Sequence, residues 1–334
     1  MDLDLRCNYN CFYCWANHDE KGPDIPMDLD LLEELLPYLN KNCWHIYLSC
    51  AGEPLIHPRF TEIMDLVKRE VTTSDATIIT NGWALNEKNS KSIIDAGITS
   101  VAVSIDTTDS VLYNRITGLE KADSVGRVMN NVEEFIRLRG KRKYPRVIIN
   151  AVVMKSTITH LQQLAEWICS AGADGLRLLW FLPQSQHIQD EEYISPDAPE
   201  SAVIIRSVKK TIRSNGKFFD YPHLKSFGKV STVLSGLSIN KNKSEYLIYA
   251  FRKFWTAVVS SKCRLKGLSI FINRSGSFFM CPDSYQSLGD IAAIKDVDLH
   301  KQVTRKTKQY GKNICIDCKY HNSMLLLKQT DKQE

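Results

Sequence analysis

Cys7, Cys11 and Cys14 lie near the start of a 334-residue chain, with three and then two residues between them. Thiolates are the usual protein ligands of iron–sulfur clusters. Three at this spacing can hold three irons of a [4Fe-4S] cube. No fourth cysteine follows at a comparable distance, so one iron is left open, and an open coordination position is what separates a catalytic metal site from a structural one. Zinc is the competing reading. It would want a fourth nearby Cys or His, and His18 is the early candidate, which places zinc below iron–sulfur.

A second set of thiols comes late: Cys263, Cys281 and the pair Cys315-x2-Cys318. Four cysteines in two pairs can close a tetrahedral zinc site or hold a second cluster with every iron ligated. Cys43, Cys50 and Cys169 have no partner at metal spacing and read as small core residues.

The elements that must position these groups follow an α/β rhythm. From Leu3 to Phe181, short β-rich runs alternate with helical patterns, as expected of parallel strands joined by crossover helices. Strands are predicted at Leu3–Arg6, Trp44–Leu48, Thr77–Thr80, Val101–Ile105, Val147–Met154 and Leu176–Phe181. The first helix begins after Asp28, with Leu31, Leu32, Leu35, Leu36 and Leu39 at helical spacing, and Pro37 predicts a kink or an early end. Further helices are predicted at Pro58–Glu70, Asn86–Ala96, Asp123–Leu138 and Thr159–Ala171, the last ended by Gly172. Ligands of parallel sheets bind at the carboxyl ends of strands. The Gly52-Glu53 turn, Asn81 and Asp106 fall at such ends, which predicts one mouth shared with the cysteine loop. After Pro183 the rhythm breaks and one good helix remains, Ala202–Arg213; a hairpin is signalled by Leu268–Asn273, a turn at Ser275-Gly276, and Ser277–Met280.

An apolar content of 43% is enough for a sizeable core. There is no apolar run of about 18 residues, the length a membrane helix needs, and Met1–Arg6 lacks the order of a signal peptide. A cytoplasmic protein with reduced cysteines is expected and no membrane partner. The charge of +5 is modest, and the densest basic segment, Arg137–Arg146, reads as a solvated turn without interleaved aromatic platforms. A nucleic-acid partner is therefore not expected.

The cysteine triplet, with Tyr13 just before its third member, resembles the signature of the radical S-adenosylmethionine (radical SAM) enzymes over about residues 1–182. That resemblance implies a partial (β/α)6 TIM-like barrel. It makes Cys7, Cys11 and Cys14 ligands of a [4Fe-4S] cluster whose open iron is chelated by S-adenosylmethionine, with Tyr13 against the adenine. Gly52 and Glu53 occupy the family's Gly-Gly-Glu-Pro position, with Ala51 replacing the first glycine, and would meet the methionyl amino group. Ser104, Asn81, Asn150 and Arg127 match other cofactor-contacting positions. Cys263-x12-Gly276-x4-Cys281 followed by Cys315-x2-Cys318 is similar to the auxiliary-cluster module called twitch, or the front of the longer SPASM module, which implies one auxiliary [4Fe-4S] cluster, or zinc. The expected organisation is a barrel at 1–182, a connecting, substrate-proximal segment at 183–262, a hairpin-containing auxiliary-cluster domain at 263–325 and a tail at 326–334.

The activity implied is reductive cleavage of S-adenosylmethionine followed by hydrogen abstraction from a substrate C–H bond, with an external donor such as flavodoxin or ferredoxin. The expected outcome is an oxidoreductase-type change in a sugar-like or aminocyclitol-like small molecule; a peptide or protein maturase is the alternative within the family. Outside it stands a non-catalytic two-cluster electron carrier or redox sensor. Arg177 reads first as a salt-bridged barrel arginine and second as a candidate to steady a substrate hydroxyl or carboxylate, with Trp180 and His187 as unranked candidates.

Overall fold

The computed structural model describes residues 1–14, 26–43, 45–49, 52–120, 123–181, 191–194 and 198–221, together with strand segments at 271–272, 277–279 and 289–290. Two compact units divide the chain, Met1–His223 and Leu224–Glu334.

The first unit is built on a six-stranded sheet: β1 His45–Tyr47, β2 Asp75–Thr80, β3 Ser100–Ser104, β4 Arg146–Val153, β5 Gly175–Trp180 and β6 Phe218–Asp220. The strands lie side by side in sequence order and every pairing is parallel. Helices carry the chain back between them: α1 Leu29–Asn42 precedes β1, and α2 Phe60–Glu70, α3 Glu87–Asp95, α4 Ser110–Thr117, α5 Ser124–Arg139, α6 Leu161–Ala171 and α7 Pro199–Ser214 follow in order. This is the open, partial TIM-like barrel expected of the sequence.

Local chemistry explains most boundaries. Asp28 caps α1 by accepting from the amides of Asp30 and Leu31, and Asn86 caps α3 through Asn89 N–H. Gly172 ends α6 in the left-handed region. Leu32, Leu35 and Leu36 are fully buried along one stripe of α1, which carries this helix past Pro37 to Asn42, so it does not end early there. The carbonyl that Pro37 leaves unbonded belongs to exposed Glu33, where water can satisfy it.

Two strands depart from expectation. Leu3–Arg6 forms no ladder; it is held instead by single bonds, Met27 N–H to Leu3 O and Glu53 N–H to Arg6 O. The sixth strand is β6, which pairs with β5 from Gly175 to Arg177. Thus α7 and β6, within the expected connecting segment 183–262, complete the sheet of the first unit. In the second unit, Phe271–Ile272 (β7) pairs antiparallel with Ser277–Phe279 (β8), the expected hairpin, and β8 pairs with Gly289–Asp290 (β9).

Side chains on neighbouring parallel strands in register share a face. Ser104, Asn150, Arg177 and Asp220 are register partners from β3 to β6, so one polar row crosses the sheet. Their sequence neighbours Val103, Ile149, Leu176 and Leu178 are fully buried.

Candidate functional site

The loop carrying Cys7, Cys11 and Cys14 is fixed by its backbone. Asn10 N–H donates to Thr117 O at 2.9 Å and Phe12 N–H to Ile116 O at 3.1 Å, so the loop is bonded along the last turn of α4. Cys14 N–H closes a turn on Cys11 O at 3.0 Å. Gly118, in the left-handed region, ends α4 beneath the loop, and a Cβ there would come within 3.1 Å of Asn10 O.

The three cysteines are half-buried and form no disulfide. Burial pushes Cys7 up to about 11 and Cys11 well above the ordinary thiol range. Each of these two is also raised by the charge of neighbouring cysteines of the loop. Among the described residues, no three His, Cys, Asp or Glu side chains converge closely enough for a single metal ion. Neighbouring half-buried thiols fit the donor set of an iron–sulfur cluster, whose cations would stabilise the thiolates that burial alone disfavours.

Opposite the loop, Gly52 and Glu53 form a turn fitted against the N-terminal segment. Gly52 has φ +68°, and a Cβ there would lie 2.3 Å from Asp4 O and 2.8 Å from Arg6 O. Only glycine fits. The Glu53 carboxylate is buried: Oε1 accepts from Leu55 N–H at 3.0 Å and from the Thr80 hydroxyl at 2.7 Å, and Oε2 accepts from Asn81 N–H at 2.6 Å. Burial nevertheless pushes its pKa up to about 7, against those three donors. An acceptor position remains on Oε2, and a cationic partner there would favour the charged form.

Asn81 joins the two sides. Its backbone meets Glu53, while its Nδ2 donates to Asn8 Oδ1 at 2.9 Å and lies 3.9 Å from Cys7 Sγ. The predicted Glu53 turn, Asn81 and cysteine loop are therefore brought together.

Asp106, just past β3, holds Tyr13. The Tyr13 hydroxyl donates to Asp106 Oδ2 at 2.7 Å, and Val152 N–H donates to Oδ1 at 2.7 Å. Burial pushes Asp106 up to about 6. Phe12 and Tyr13 pack against Ile116, Val152, Met154 and Phe181, an apolar surface beside the cysteines. Below it lies the polar row. Ser104 is half-buried, and Asn150 Oδ1 is buried without a hydrogen-bond partner. Arg177 Nε is 3.4 Å from Asp220 Oδ2, so its predicted position on the inner row comes with a carboxylate partner. Arg127 is on α5 with its guanidinium 4.0 Å from the centre of the Trp83 ring.

Three aromatics of the site carry no signal of their own in the sequence reading. Tyr9 and Tyr113 share a buried hydroxyl–hydroxyl bond of 2.9 Å, and Tyr9 meets Trp83 edge-on at 6.3 Å. Tyr9 lies inside the cysteine motif, which is the available clue. Cys263, Cys281, Cys315, Cys318 and His187 lie outside the described residues, as does the side chain of Trp180.

With this geometry in hand, comparison with known proteins is specific. The model of the Radical SAM superfamily matches residues 5–168. A probable GTP 3',8-cyclase of Methanococcus aeolicus is 29% identical over 195 residues, 58% of this chain and 62% of the relative. A tungsten-containing aldehyde ferredoxin oxidoreductase cofactor-modifying protein of Pyrococcus furiosus is 26% identical over 231 residues, 67% of this chain and 62% of the relative. These matches span less than two thirds of the relatives' length. Among solved structures, Streptococcus suis SuiB bound to S-adenosylmethionine superposes with a TM-score of 0.61 at 14% identity, covering 89% of this chain and 60% of that one. Native anSMEcpe with bound AdoMet gives 0.62 at 16% identity, covering 92% and 80%. At these identities the structural likeness is one of fold.

Proposed function

The chain belongs to the radical SAM superfamily through residues 5–168, and from that premise we propose that Cys7, Cys11 and Cys14 ligate a [4Fe-4S] cluster beside which S-adenosylmethionine binds between Glu53 and Tyr13. When bound, the cluster supplies the single electron that cleaves S-adenosylmethionine and releases a 5'-deoxyadenosyl radical able to take a hydrogen atom from a substrate C–H bond.

The observation that carries the reading is Asn81, whose backbone bonds Glu53 while its side chain reaches Asn8 and Cys7. One residue thereby ties the carboxylate suited to an ammonium group to the loop suited to the cluster. The other residues supply orientation. Tyr13, fixed by Asp106, presents an apolar face with Val152 and Phe181 for the adenine. Ser104 and Asn150 offer polar atoms one layer deeper, and the half-buried loop limits water.

A small organic molecule is the proposed substrate, and the names of the curated relatives, a GTP cyclase and a cofactor-modifying protein, support that class. Neither is named for a sugar or aminocyclitol, nor is a cyclase named for net oxidation, so the reading stays at hydrogen abstraction from a small molecule. Cys263, Cys281, Cys315 and Cys318 are proposed to hold an auxiliary [4Fe-4S] cluster in a twitch-like domain at 263–325, and a flavodoxin or ferredoxin to deliver the electron.

Anaerobic reconstitution followed by dithionite and S-adenosylmethionine tests the core of the proposal. Release of 5'-deoxyadenosine that disappears on replacing Cys7, Cys11 and Cys14 by alanine is expected. Iron uptake without 5'-deoxyadenosine would make the protein an electron carrier or redox sensor instead.

A further inference from the structure

The polar row runs past the positions proposed to meet the cofactor. Ser104, Asn150, Arg177 and Asp220 follow one another in register across β3 to β6, and neighbouring strands lie about 5 Å apart. Arg177 therefore takes over where Asn150 ends. Leu179 lies two residues further along β5 on the same face, a rise of about 7 Å, and it packs on the apolar cluster that also carries Phe12 and Tyr13 of the cysteine loop. A group held at Arg177 is thus within the length of a small molecule of that loop.

Arg177 and Asp220 do not form a closed ion pair. Where this chain closes one, as between Arg6 and Asp4, Nε and Nη2 grip both carboxylate oxygens at 2.9 and 2.6 Å. Arg177 instead makes a single contact, Nε to Asp220 Oδ2 at 3.4 Å, and among the described residues its Nη1 and Nη2 have no hydrogen-bond partner. The guanidinium is nevertheless held in place. Gly175 faces Phe218 in register, and a Cβ there would lie 2.4 Å from Phe218 O and 2.7 Å from Phe218 Cβ, so the missing side chain lets β6 close on β5. The Phe218 ring is then centred 6.0 Å from the guanidinium. Asp220 lies under the charges of both Arg177 and Arg213, and Arg213 is itself tied to Phe219 O at 3.0 Å. Two cations to one carboxylate leave this edge of the row positive.

We propose that Arg177 recognises the substrate: its Nη1 and Nη2 take two oxygens of an anionic group, a phosphate or a carboxylate, while Asp220 keeps Nε. Paired oxygens of such groups match the planar fork of a guanidinium. The proposal rests on the reading that a small-molecule substrate binds beside S-adenosylmethionine in this mouth. It makes that substrate an anion, anchored at the β5–β6 end of the row with its reacting C–H bond directed towards the cysteine loop.

The test uses cluster-reconstituted full-length protein with S-adenosylmethionine bound, and follows by peptide mass spectrometry how fast phenylglyoxal, a reagent for guanidinium groups, modifies each arginine. Methyl phosphate, propionate and glycerol are compared at equal ionic strength. Arg177 is expected to react, and an anion present at several times its dissociation constant should slow that reaction about threefold or more by occupancy. Glycerol should leave it unchanged, and exposed Arg137 is the reference that no probe alters. Protection by methyl phosphate alone names a phosphate, and by propionate alone a carboxylate. In calorimetry, binding of the protecting anion should weaken about tenfold or more in Arg177→Gln, the scale of hydrogen bonds to a charged group, with affinity for S-adenosylmethionine close to that of the wild type. An Arg177 that neither anion protects, that resists the reagent without one, or that is slowed no more than Arg137 would overturn the proposal, as would unchanged anion binding in Arg177→Gln. A wild-type holoprotein that does not bind S-adenosylmethionine would instead overturn the cofactor reading, and the same probes without it still decide whether Arg177 holds an anion.

Discussion

Tyr13 and Asp106 are locked together 93 residues apart in sequence: the phenol donates to Oδ2 at 2.7 Å while Val152 N–H takes Oδ1 at the same distance. The aromatic ring placed directly before the third motif cysteine thus has its hydroxyl anchored at the end of β3. Tyr13→Phe leaves a buried carboxylate with one donor fewer, and should lower unfolding free energy by about 1–3 kcal/mol in denaturant titrations. Asp106→Asn should cost less, since the amide oxygen can still accept one of the two bonds.

Glu53 makes stability depend on pH in the less common direction. Burial raises its pKa from 4.5 to about 7. The fold therefore keeps a proton that the unfolded chain has already lost, so its contribution is fully present below about 4.5 and disappears as pH rises through 7. Glu53 alone should cost the cluster-free protein on the order of 3 kcal/mol across this window. Glu53→Gln should show a profile by thermal melts at stepped pH that lacks this loss; what remains combines Asp106 and Asp220, which act in the same sense, with His45 and His57, whose lowered pKa values act in the opposite one.

Two glycines with similar backbone angles separate strain from collision. Gly97 has φ +74° and nothing within 4 Å of an added methyl, whereas Gly52 at φ +68° would drive that methyl to 2.3 Å from Asp4 O. Gly97→Ala should cost about 1 kcal/mol. Gly52→Ala should cost at least about 3 kcal/mol, because the obstructing atoms are backbone and cannot rotate aside. Equal losses in denaturant titrations would contradict the close approach.

The two cysteine sets should load iron separately. Replacing Cys7, Cys11 and Cys14 should remove about four irons per chain and all 5'-deoxyadenosine formation, whereas replacing Cys263, Cys281, Cys315 and Cys318 should remove a similar amount and leave cofactor cleavage measurable. Iron analysis and chromatography of the nucleoside read both effects.

The parallel sheet is legible in the sequence because its strands are continuous apolar runs: Val147–Met154 announces β4 by composition alone. Capping residues are equally plain at Asp28 and Asn86. By contrast, β6 has three residues, Phe218–Asp220, too few to show a period, and its pairing depends on β5. Helix α4 goes unpredicted although Asp109 caps it and Gly118 stops it; at eight residues it is too short for a helical period to stand out. Leu3–Arg6 has strand composition, but its bonds go singly to Met27 and Glu53 instead of to a neighbouring strand. At the site, spacing exposes the cysteines and Glu53, while the Tyr9–Tyr113 and Trp83–Arg127 contacts join distant segments and leave no trace in local pattern.

The bonds from Asn10 and Phe12 to the last carbonyls of α4 carry a further consequence. A helix end ordinarily leaves such carbonyls to solvent, but here they hold the loop with protein alone. The motif is thereby moored by its backbone as well as by its thiols, so the aim of Cys11, which lies between the two bonded amides, is set by where α4 ends.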